Sequence, residues 1–176
     1  MLNRLLKKFG FKTTKKRRNE DLSIEELSEK ISDIQEAENL RETLDALIVL
    51  AGKEYNQKLF EDSEKHYREG SRIAESLGDI RNQSMMVFSL GRLFFSQKNF
   101  LQAKNSYQKA LDLARQIKDV ENMSRILTNL GLVAQNAGDM KSAKSHYIGA
   151  LRLASDMQDY NLINFIKRKG EGLGLD

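Results

Sequence analysis

His66 and His146 are the only side chains here that titrate near neutral pH without help from their surroundings, and each stands one residue before a tyrosine. Joint metal binding or acid–base work needs two imidazoles side by side. These two fall instead at equivalent places in two copies of a repeated segment, one towards each end, which predicts a polar residue at the edge of an outer face. Cysteine is absent, so there is no thiolate nucleophile, no disulfide framework and no cysteine-based metal site. Glu61, Asp62 and Glu64 fall where a helix is expected to start, and acids there are favoured by the helix dipole. Gly170, Gly172 and Gly174 are not expected to cradle a phosphate, because too little chain follows them to build the helix that would hold the anion. No nucleophile, base and orienting group share a usable spacing. The sequence therefore predicts no enzyme, no catalytic residue, no metal and no cofactor.

Side chains suited to binding are easier to find. Arg92 and Arg125 can give charge-assisted hydrogen bonds to a carboxylate on a partner, or simply be solvated. Phe88 and Phe95 are seven positions apart and share one face of a helix, whereas Leu93 and Phe94 read as core. That shared face is an apolar partner site if it is open, or a surface covered by a cap helix or by self-association.

The elements that must position these residues come from a repeat. Residues 80–119 and 120–159 are one motif written twice. Leu90 matches Leu130, Gly91 matches Gly131, Ala103 matches Ala143, and Tyr107 matches Tyr147. Ala110, Ala114 and Asp119 likewise match Ala150, Ala154 and Asp159. A weaker copy over 40–79 carries Leu50, Ala51, Ser63, Tyr67, Gly70, Ala74 and Asp79 at the same offsets, with Gly70 and Glu54 its poorest matches.

This order of Leu-Gly, a later Ala, an aromatic four on and an Ala three further resembles the tetratricopeptide repeat. It is most similar to the forty-residue variety of kinesin light chain and bacterial peptide-sensing regulators. The resemblance covers about residues 40–159 and lacks the proline that often closes a repeat; the whole chain has none. It implies an all-α, right-handed helical solenoid of about three helix-turn-helix repeats, with N- and C-terminal capping helices.

Local signals agree with that series. Ser23 followed by Glu26 predicts a capping box, and Leu27, Ile31 and Ile34 recur at helical spacing, so a capping helix is expected within 21–39. The units are expected over 40–79, 80–119 and 120–159. Gly91, Gly131, Ala103 and Ala143 would let paired helices approach, while Tyr67, Tyr107 and Tyr147 fill the gap to the following unit. A C-terminal cap helix is expected over 160–169, in the register of a fourth first helix, and a flexible tail over 170–176. Hydrophobic residues at 40% and charged ones at 31% suit amphipathic helices of this kind.

In the resembling proteins the first helix of each unit lines a concave groove that holds an extended or helical peptide. By register the groove residues here would be Phe88, Arg92, Phe95, Arg125, Asn129 and Gln135. Asp45, Ile48, Val49, Tyr55, Met85, Ser89, Thr128 and Leu132 stand at neighbouring groove positions. Asn129 matches the asparagine of the Asn-Leu-Gly motif that, in relatives of this type, holds the backbone of a bound peptide. Ser89 and Val49 occupy its place in the other units.

Charge divides the chain in two. Residues 1–18 hold Arg4, Lys7, Lys8, Lys12, Lys15, Lys16, Arg17 and Arg18 and no acid, leaving 21 basic against 25 acidic residues in the remainder. Drawn as a helix ended by Gly10, Leu2, Leu5, Leu6 and Phe9 face away from Arg4, Lys7 and Lys8. Segment 1–20 thus reads as a basic amphipathic arm suited to an anionic membrane surface, with Lys15, Lys16, Arg17 and Arg18 adding attraction. A solubilising tail, a nucleic-acid arm, weaker because the rest is acidic, and an organellar targeting segment are the other readings. The leading expectation is a cytoplasmic adaptor, peripheral at a membrane's cytoplasmic face. The second is a regulatory or assembly module whose arm binds nucleic acid or a larger complex.

Overall fold

The computed structural model describes residues 19–36 and 40–175, and among these the chain forms eight α-helices and no strand. Helix α1 spans Ile24–Glu36. Three hairpins follow: α2 (Leu40–Asn56) with α3 (Phe60–Ser76), α4 (Ile80–Ser96) with α5 (Phe100–Gln116), and α6 (Val120–Asn136) with α7 (Met140–Asp156). Helix α8, Tyr160–Lys169, closes the series. Each helix packs on the one before and the one after it, giving a helical solenoid.

Helix starts are written in single residues. Asp79, Asn99, Asp119, Asp139 and Asp159 each accept the backbone N–H three residues on, at 2.9 to 3.3 Å. Leu59, at the same place before α3, makes no side-chain cap. Ser23 and Glu26 form the expected reciprocal box at α1, with N–H to side-chain distances of 2.8 and 3.2 Å. Helix stops need no proline, because a left-handed residue turns the chain after every hairpin helix. Gly78 and Gly138 take that place in two loops, and Lys58, Lys98, Lys118 and Gln158 in four.

Close approach within a hairpin depends on small residues. A Cβ on Gly91 would stand 2.5 Å from the Tyr107 ring, and one on Gly131 would stand 2.8 Å from the Tyr147 ring. The tyrosine rings therefore lie over the glycine of their own hairpin rather than chiefly in the gap to the next one. Ala103, Ala110, Ala143 and Ala150 are fully buried. The weak match at Gly70 has a packing reason: the Met86 methyl fills the space that Ala110 or Ala150 would take, 2.6 Å from where a Cβ would be.

Both ends differ from expectation. Asn19 and Glu20, expected in the arm, belong to a 3-10 turn tied to the body by Lys30 Nζ to Asn19 Oδ1 at 2.6 Å and Lys53 Nζ to the Glu20 carbonyl at 3.1 Å. The expected flexible tail instead folds back as far as residue 175. Leu173 and Leu175 pack on the Tyr147 and Ile166 cluster, and Gly170 is buried beneath Leu175.

Candidate functional site

First helices of successive units share one side of the solenoid, and a hollow of about 450 Å³ opens there. Phe88 and Arg92 from α4, Arg125 and Asn129 from α6, and Leu162 and Phe165 from α8 line it. Asp159 and Asn161, where α8 begins, complete the lining. Four of the six groove residues read from the sequence thus come together. Phe95 and Gln135 do not join them. Phe95 tilts against Phe100 with ring centroids 5.8 Å apart, and Gln135 Oε1 accepts a hydrogen bond from Tyr147 Oη at 3.0 Å.

Several of these groups are already engaged. The Arg92 guanidinium lies 5.1 Å above the Tyr55 ring, which brings α2 to the same side. Arg125 Nη2 meets Glu121 Oε1 at 2.9 Å, an exposed pair that costs little to break. Asn129 Nδ2 donates to the Arg125 carbonyl at 2.8 Å, and its Oδ1 accepts from Tyr107 Oη at 3.5 Å. Its amide is therefore oriented from within. The Phe88 ring is half-buried against Tyr107, at 5.5 Å.

Among the neighbouring positions, Thr128 departs from the reading: it is 1% exposed. Its short side chain turns back to donate to the Ser124 carbonyl at 2.9 Å. Asp45 and Met85 are exposed, whereas Ile48, Val49, Tyr55, Ser89 and Leu132 are half-buried.

His66 also differs from the expectation of a plain edge residue. Its Nδ1 stands 2.8 Å from Oε2 and 3.0 Å from Oε1 of Glu54, a carboxylate only 2% exposed. Burial holds the Glu54 carboxyl above its usual range, and the hydrogen bond from His66 opposes this. The signal was present in the sequence, since Glu54 stands where Phe94 and Ala134 stand in the other units. Among the described residues His146 has no such partner. Burial lowers its pKa, the Lys104 charge adds to that, and Asp139 opposes it. Burial likewise lifts Tyr107 well above the usual phenol range and Tyr147 to about 12, as expected of packing rings rather than acid–base groups.

Among the described residues no three His, Asp or Glu side chains gather to hold a metal, and no helix is long and apolar enough to cross a membrane. The arm residues Leu2, Leu5, Leu6, Lys7, Lys8, Phe9, Lys15, Lys16, Arg17 and Arg18 lie outside the described residues.

A tetratricopeptide repeat family model matches residues 81–156, the span of α4 to α7. That span is made of tetratricopeptide repeats. Solved structures share its fold. RapI in its apo form superposes with a TM-score of 0.70 at 16% identity over 85% of this chain and 47% of its own. BtubC (BKLC) from P. vanneervenii gives 0.61 at 16% identity over 86% of this chain and 72% of that one. The N-terminal domain of stress-induced protein-1 (STI-1) from C. elegans gives 0.59 at 19% identity over 76% and 98%. No curated protein matches the sequence. The matched span starts after the first hairpin, where Glu54, Leu59 and Gly70 depart from the pattern of the other two.

Proposed function

We propose that this protein is a non-enzymatic tetratricopeptide repeat adaptor, in which the hollow lined by α4, α6 and α8 holds a segment of a protein partner. The observation that carries this reading is the convergence of Phe88, Arg92, Arg125, Asn129 and Phe165 from three separate elements on one open face. Apolar rings beside hydrogen-bond donors suit a peptide that buries one side chain and is oriented by its polar groups. The 1–18 segment, with eight basic residues and no acid, recruits the pair to an anionic membrane surface at the cytoplasmic face.

Two experiments test the halves separately. Capture from source lysate on the full chain, compared with an Arg92→Glu, Arg125→Glu variant, loses a specific protein if the groove binds it; identical captures refute the groove. Flotation with phosphatidylserine vesicles compares the full chain with one starting at Asp21. Equal flotation removes the membrane role, and a salt-dependent nucleic-acid gel shift confined to the full chain would transfer the arm to that ligand.

A further inference from the structure

Two ion pairs join neighbouring units at one register. Arg41 reaches Asp79 at 3.6 Å and Arg81 reaches Asp119 at 2.6 Å, each from the second residue of a first helix to the cap of the next first helix. The third unit breaks the series, because Glu121 stands where Arg41 and Arg81 stand, and it turns to Arg125 at 2.9 Å. Asp159 keeps the cap hydrogen bond from Leu162 N–H at 2.9 Å but, among the described residues, has no ion pair. It also lacks the side-chain amide that covers the outer oxygens of Asp79 and Asp119, since Leu162 replaces Asn82 and Asn122. This carboxylate lines the same hollow as Phe88, Leu162 and Phe165.

We infer that the groove selects a partner segment carrying an arginine or lysine beside an aromatic or long aliphatic residue, with the partner's cation pairing with Asp159 as Arg81 pairs with Asp119. This rests on the groove reading above and sets its specificity. The unit-to-unit series favours the basic occupant: Asp159 is the one carboxylate of the lining and stands where Asp79 and Asp119 each receive an arginine, while Arg92 lies over Tyr55 and Arg125 meets Glu121. Its cap bond fixes the carboxylate before a ligand arrives, so little ordering cost falls on this side of the contact.

The test uses the immobilised full chain and four nonapeptide pools, degenerate except for a central Arg, Lys, Ala or Glu. The Arg and Lys pools are retained on the order of tenfold better than the Glu pool, with Phe, Tyr and Leu enriched beside the fixed position. Two variants follow. Asp159→Asn keeps the helix cap, because asparagine caps as well as aspartate, and removes the charge. Glu121→Arg supplies the cation from the same chain in the geometry of Arg81. Both lose the basic preference while still retaining the Ala pool. A preference for Glu, equal retention of all pools, or a basic preference that survives Glu121→Arg overturns the inference and leaves the groove standing. Failure of every pool to exceed a Phe88→Ala, Phe165→Ala column overturns the groove reading as well.

Discussion

Replacing Gly91 by alanine adds one methyl group where α4 packs on the Tyr107 ring of α5. The new Cβ falls 2.5 Å from Tyr107 Cδ1 and 2.6 Å from Cε1, closer than carbon atoms pack. Tyr107 is 1% exposed and also packs on Phe88, so its ring has no free space to enter. Relief must come from separating the two helices, at the roughly 1–3 kcal/mol usual for overfilling a packed core. Alanine also gains about 0.5–1 kcal/mol over glycine inside a helix, which hides part of that cost. Gly52 in α2 separates the two terms, because a Cβ there meets nothing within 4 Å. Gly52→Ala should therefore show the helix gain alone, and Gly91→Ala should lie below it by about 1–3 kcal/mol. Urea denaturation followed by far-UV circular dichroism, with slopes compared to check that the transitions are alike, measures both. Equal midpoints for the two variants would refute the claim that glycine is required by the tyrosine. The first hairpin already carries Ala51 at this place, and there Tyr67 is less completely covered, at 6% exposed.

Leu59→Asn gives α3 the cap that Asn99 gives α5 and should stabilise by about 1 kcal/mol in the same denaturation assay; no gain would mean the α3 start is satisfied by other means. His66→Ala strands the buried Glu54 carboxylate and should cost about 2–3 kcal/mol at neutral pH, whereas His146→Ala, with no such partner, should cost clearly less. Glu54→Gln tests the sign of the pH dependence. Burial raises Glu54 above its unfolded value, so its stabilisation is complete below the ordinary carboxylate range and is lost as pH rises through the raised pKa. Wild type should thus lose ground to Glu54→Gln as pH rises above the ordinary carboxylate range, and a constant difference would contradict the assignment. His146 works in the opposite sense: its lowered pKa gives stability that is present above the ordinary histidine range and lost as pH falls, so His146→Ala should flatten the acid side of the stability profile.

The fold was legible because the residues that build it recur: the Gly91 and Gly131 contacts, the buried alanines and the Asp caps each appear at fixed offsets. The register also put Phe88, Arg92, Arg125 and Asn129 on one side. It could not show that Phe95 and Gln135 would be occupied by Phe100 and Tyr147, since those partners lie on second helices across the turn. Thr128 is hidden for a related reason, because a short hydroxyl side chain can turn back on its own helix where the phenylalanine at the equivalent position cannot. The Glu54–His66 pair is not legible in either residue alone, because it needs a glutamate at a buried register and a histidine twelve positions on. That Asp159 lacks the cation its counterparts receive is visible only once the geometry of Arg41 and Arg81 is known.

Whether the stacked hairpins create one face that takes a partner segment is read by titrating the isotope-labelled full chain with a pool-selected peptide and following amide chemical shifts. Shifts should concentrate at Phe88, Arg92, Arg125, Asn129 and Asn161 and be absent in a Phe88→Ala, Phe165→Ala variant. Shifts centred instead on Arg68, Arg72 and Lys109 of the second helices, with the hollow unchanged, would contradict the groove reading.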